Sequence, residues 1–173
     1  MVAMAKRADY ALSFEGAGRR NGETIAVIAR RSSGSWSLAV QGKPAHSMLL
    51  FQPNVGYGAI YEGARILNAF REQVMEPALT FNVGAVVGGT DTKWASDTAT
   101  GTAFGKSNVV AKEFRADGDL RYLSPEQGER AKQRMRDIVT KSNLAGTSAT
   151  IEFREGYPPM PPTEARVKLL ELY

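Results

Sequence analysis

The sequence predicts an α+β fold: a four-stranded antiparallel sheet with two helices on one of its faces. Three observations point there. From Trp36 onward the elements run strand, helix, strand, strand, helix, strand. Both helical segments carry apolar residues at steps of three and four, so each has one face to bury. The best strands alternate apolar and polar residues, offering one side to a core and the other to water. A βαββαβ chain with these properties closes most simply as the ferredoxin-like split arrangement.

Taken in order, residues 10–14 read as a short buried strand ending at Glu15, and residues 16–23 as a polar, glycine-rich linker. Residues 24–31 read as a strand. Trp36, Leu38 and Val40 then alternate with Ser37, Ala39 and Gln41 until Gly42, Lys43 and Pro44 stop the pattern. A helix follows, with Asn54 as its expected N-cap, Ile60, Ala64, Leu67, Phe70 and Val74 as its apolar stripe and Pro77 as its stop. Leu79, Phe81 and Val83 open the next strand. Residues 88–107 are polar and show no period; such a stretch is expected to be an irregular functional loop, with Trp94 and Phe104 as its anchors.

The strand over 110–122 is the clearest. Its even positions hold Val110, Phe114, Ala116, Leu120 and Tyr122, and its odd positions Glu113, Arg115, Asp117, Asp119 and Arg121. Ser124, Pro125 and Gln127 then start a helix with a cap, a proline at the first helical position and a capping-box partner. Ala131, Met135, Ile138 and Val139 are its expected core stripe. Ala149, Ile151 and Phe153 alternate in the last strand, a proline-rich connector covers 156–163, and a short helical run covers 164–173.

Composition narrows the function. At 173 residues, with 43% hydrophobic and 23% charged residues, the chain suits one domain with appended segments. The net charge of +4 is mild and its basic residues are interleaved with acids, which argues against nucleic acid as a partner. No apolar run approaches the ~20 residues of a membrane span, and the first residues lack a signal-peptide core. The N-terminus reads like the middle of a longer protein. Cysteine is absent, which removes disulfides, thiolate metal sites and cysteine nucleophiles. Compartment stays open between cytoplasm and periplasm.

The chemistry-bearing residues are few. His46 is the single histidine, in the turn Gly42-Lys-Pro-Ala-His46. A serine triad would have to use it, and no serine has a nucleophile-elbow pattern around it. One histidine without cysteine makes a poor zinc site, since zinc takes three or four ligands drawn mainly from Cys, His, Asp and Glu. Gly16-Ala-Gly18 leads into two arginines and a turn, not a helix, and residues 101–107 miss the spacing of a phosphate-binding loop by one. No complete catalytic centre is therefore expected in this chain.

Several motifs, in order, resemble a family. Asp9-Tyr-Ala-Leu-Ser-Phe-Glu15, Gly42-Lys-Pro-Ala-His-Ser47, Asn54-Val-Gly-Tyr-Gly-Ala-Ile60, Asn108-Val-Val-Ala-Lys-Glu113, Asp117-Gly-Asp-Leu-Arg-Tyr122 and Gly156-Tyr-Pro-Pro159 resemble successive segments of co-catalytic zinc metallopeptidases. That family contains glutamate carboxypeptidase, aminoacylase and succinyl-diaminopimelate desuccinylase. The resemblance implies three parts: residues 1–28 and 157–173 as pieces of a catalytic domain, and 29–156 as an inserted lid and dimerisation domain of ferredoxin-like fold.

It also implies roles. His46 would polarise the substrate carbonyl or oxyanion, in dimeric members within the partner subunit's site. Asn108 would touch substrate, and Glu15 would bind zinc in the intact enzyme. The other zinc ligands and the general base would lie outside 1–173, so this chain alone is expected to hold no zinc and to be inactive. The parent would hydrolyse short peptides or N-acyl amino acids as a homodimer. Two departures stand out: Ala111 replaces the family's usual proline, and Tyr157 stands where carboxypeptidase-like members place a carboxylate-binding arginine, with Arg154 nearby. The alternative reading is a stand-alone ferredoxin-like binding or assembly module without hydrolytic activity.

Overall fold

A computed structural model describes residues 6–12 and 18–172. The chain divides into two compact units, one of residues 1–28 with 162–173 and one of residues 29–161.

In the smaller unit β1 (Arg19–Arg20) and β2 (Glu23–Thr24) pair antiparallel. Asn21 and Gly22 turn this hairpin with φ of 54° and 84°, the two left-handed residues that a two-residue type I′ turn needs. The described part of the expected linker is thus a hairpin. The expected strand over 24–31 is not formed beyond Thr24: residues 25–29 lie outside any strand, and Ile25 and Val27 are exposed. Tyr10 and Leu12 are likewise exposed and unpaired by any strand, while the rest of the expected first strand, with Glu15, lies outside the described residues. Helix α3 (Glu164–Glu171) begins at Thr163, whose hydroxyl accepts from the Arg166 N–H.

The larger unit is built on β3 (Gly34–Gly42), β4 (Thr80–Phe81), β5 (Ala85–Gly89), β8 (Glu113–Arg121) and β9 (Thr147–Glu155), with β6 (Asp91–Ala95) and β7 (Thr100–Phe104) as a separate hairpin. All pairs are antiparallel. β3 lies between β8 and β9, and β8 carries β4 and β5 on its other edge. The last strand thus sits beside the first and the third beside the second, the ferredoxin-like order. Register aligns the apolar sets: Leu38 faces Ala116 and Ile151, and Val40 faces Phe114 and Ala149.

Helices α1 (Ala59–Gln73) and α2 (Pro125–Thr140) bury their stripes against that one face of the sheet. Trp36 meets Phe70 edge-on at 5.7 Å between ring centroids, and its indole N–H donates to Asp119 O. Gly118 makes room, since a Cβ there would lie 2.5 Å from the Trp36 ring. The start of α2 follows the sequence: Ser124 Oγ accepts from Gln127 N–H, and Gln127 Oε1 accepts from Leu123 N–H. Ala131, Met135, Ile138 and Val139 are all buried.

Three expectations are corrected. The first helix starts at Gly58, not Asn54, because residues 47–57 fold into a 3-10 turn and a compact loop instead. Its buried face is Ala59, Glu62, Gly63, Ile66, Ala69 and Phe70, so Ile60 and Ala64 are exposed and Leu67 only half-buried. Two stripes of helical period run along this segment. The chain buries the one holding Gly63, which lets the helix sit down on the Phe114 ring; a Cβ on Gly63 would lie 2.5 Å from it.

The polar stretch 88–107 is the third correction. Most of it is the β6–β7 hairpin, which lies against the charged side of β8: Trp94 Nε1 donates to Asp117 Oδ2 at 3.1 Å, and Thr92 binds Glu113 through its N–H and hydroxyl. Asp117 is consequently buried and the sheet is covered on both sides there. Trp94 is an anchor; Phe104 is exposed.

Candidate functional site

β3 ends at Gly42 because the chain passes tightly against the start of α1: a Cβ on Gly42 would lie 2.6 Å from the Ala59 nitrogen. Lys43 and Pro44 then carry the backbone outward to His46. His46 bridges Val109 in antiparallel fashion. Val110 N–H donates to Ala45 O at 2.8 Å and Ser47 N–H to Asn108 O at 2.9 Å. Two separate sequence motifs, around His46 and around Asn108, are thus brought side by side by one isolated antiparallel bridge, and both residues are exposed.

His46 also caps the 3-10 turn Ser47–Leu49, with φ −65° and ψ 140°. Its Nδ1 accepts from the Met48 N–H at 3.2 Å. That bond uses the Nδ1 lone pair and so favours the neutral tautomer with its proton on Nε2. In this arrangement the exposed imidazole presents Nε2–H as a donor. Met48, Leu49 and Phe51 continue the exposed surface beyond it.

Glu62 was not a candidate in the sequence, where it reads as a charged residue on a helix. In the structure it is fully buried beneath the loop at 143–146. Burial opposes its charge, but hydrogen bonds from Arg65, the Leu144 N–H and Asn143 outweigh this and hold its carboxyl below the usual glutamate range. An Arg three residues on was the available signal; the partners at 143–144 are distant in sequence and leave none.

Among the described residues no group of three or more His, Cys, Asp and Glu side chains converges on one point. Glu15 lies outside the described residues. What the described residues around His46 offer chemically is an N–H donor.

The ferredoxin-like order of the sheet, with two helices on one face, agrees with known proteins at the level of family. The model of the M20 peptidase dimerisation domain matches residues 28–147. The chain belongs to that family. No curated protein matches it. Solved structures of similar fold include aminopeptidase PepT from Bacillus cereus, 18% identical with a TM-score of 0.58, over 80% of this chain and 33% of that one. A tripeptidase from Staphylococcus aureus is 20% identical with a TM-score of 0.58, over 84% and 35%. A hydantoinase/carbamoylase family amidase from Burkholderia ambifaria is 16% identical with a TM-score of 0.60, over 84% and 33%. The chain spans about a third of the length of these structures, and likeness at such identity is likeness of fold.

Proposed function

We propose that this chain is the dimerisation and lid module of a zinc-dependent peptidase or amidohydrolase that cleaves short peptides or N-acyl amino acids, and that His46 is the side chain it lends to the partner subunit's active site in a homodimer. Residues 1–28 and 157–173 are then pieces of the catalytic domain, Glu15 a zinc ligand in the intact enzyme, and Asn108 a substrate contact. The observation that carries this reading is the pinned imidazole: an exposed ring, oriented by the Met48 N–H, with Nε2–H as its donor and Asn108 beside it.

Such a donor does useful work where negative charge develops on a carbonyl oxygen, because it is oriented before the reaction begins. Zinc, when bound in the catalytic domain, would supply an activated water. His46 would hold the carbonyl oxygen, and Asn108 would orient the acyl portion. The test is His46→Ala in the whole enzyme. Turnover should fall by about 10²–10³-fold, the loss typical for one oxyanion donor, with zinc content unchanged. Unchanged turnover would reject the role.

A further inference from the structure

A buried carboxylate is costly unless its oxygens are satisfied. Glu62, in the first turn of α1, is 0% exposed. It accepts four hydrogen bonds: from Arg65 Nε at 2.9 Å, Arg65 Nη2 at 2.7 Å, Asn143 Nδ2 at 2.7 Å and the Leu144 N–H at 3.1 Å. Arg65 and Asn143 also donate to Ile138 O and Val139 O at the end of α2. Half of the Glu62 bonds therefore go to the loop that follows α2.

The far end of the His46 segment, at residues 55–57, rests on that loop, while its near end pairs with residues 108–110. Ala145 O accepts the Tyr57 N–H at 3.0 Å. The two backbones touch: a Cβ on Gly56 would lie 1.7 Å from Ala145 O, and one on Gly146 would lie 2.2 Å from Val55 O. From there the segment bonds back upon itself, Phe51 N–H to Gly56 O at 2.8 Å, Gln52 N–H to Leu49 O at 3.1 Å and Leu49 N–H to His46 O at 2.9 Å. A non-glycine residue in the left-handed region lies within the segment and another just before the loop, Phe51 at φ 71° and Ser142 at φ 67°. Conformations of that kind persist only where the surroundings over-determine them.

We infer that Glu62 is a positioning residue: its carboxylate fixes the 143–146 loop and, through it, the 46–57 segment that presents His46. The functional meaning rests on His46 being the working side chain, but the order of the segment is measurable without any activity. A carboxylate that merely stabilised the unit would, on removal, loosen loop and core alike.

The test is Glu62→Gln in the 173-residue chain, followed by amide hydrogen exchange and by the ring resonances of its single histidine. Exchange at Leu49, Phe51 and Tyr57 should speed up at least ~10-fold beyond any change at Leu38 and Ala116, and the His46 ring signals should shift or broaden. Loop exchange that changes only in step with the core, or not at all, would overturn the inference. Should Glu62→Gln fail to fold, Asn143→Ala removes one of the four bonds without stranding a charge. The same pattern is expected at smaller amplitude, and an unchanged loop overturns the inference there too. Retained turnover in His46→Ala of the whole enzyme would instead remove the catalytic reading and leave the exchange result standing.

Discussion

At the level of single residues, the hydrogen bond to one imidazole comes first. The Met48 N–H donates to His46 Nδ1, and this predicts the tautomer: long-range proton–nitrogen spectra of the neutral ring should show Nε2–H as the dominant form, and a dominant Nδ1–H form would contradict the geometry. A second prediction concerns Gly63. Its missing side chain is where the Phe114 ring sits, so Gly63→Ala overfills the contact and should cost about 1–3 kcal/mol in urea denaturation. A neutral or stabilising result would mean the helix can lift off the sheet at no cost. The His46 motif was legible because its turn residues, the proline and the lone histidine lie together in sequence. Glu62 was not legible, because the groups that justify its burial come from residues 143–144 and only folding assembles them.

At the scale of the element, what could be read depended on whether the element's reasons are local. The second helix was readable to its first residue, since Ser124, Pro125 and Gln127 carry its start within one turn. Ser124→Ala should accordingly cost about 1 kcal/mol, read as a lower urea midpoint with unchanged slope. The first helix misled at the stripe: Ile60 and Leu67 are apolar at helical spacing, yet the face with Ala59, Gly63, Ile66 and Phe70 is buried, because Gly63 leaves room for the Phe114 ring of the sheet below. The 88–107 stretch misled more, since threonines, glycines and charges gave no apolar alternation. Its hairpin is held by bonds to the sheet's charged side rather than by a core. Trp94→Ala should therefore release β6 and β7 selectively: amides of Thr92 and Phe104 exchange faster while those of β3 hold, and uniform loss of protection would contradict this.

At the scale of the molecule, acid should weaken the larger unit. Burial opposes the charge on Glu62 but Arg65, Leu144 and Asn143 overcome it; the Thr92 hydroxyl lowers Glu113; and Lys132, then Tyr122, lower Glu155. Each folded value lies below its unfolded one, so each group's contribution is present at neutral pH and is lost as pH falls through the folded value. The urea midpoint should drop between about pH 7 and about pH 3; a midpoint that held or rose would contradict the sign. The matching family model is that of a dimerisation domain, and we propose that association of two copies carries His46 from one subunit to the other's site. Mixing two impaired variants of the whole enzyme, His46→Ala and one disabled in its metal ligands, puts this to the test. Turnover should rise on mixing, because each mixed dimer contains one site with an intact metal centre and the partner's His46. A mixture as inactive as its components, with mixed dimers demonstrably formed, would contradict it.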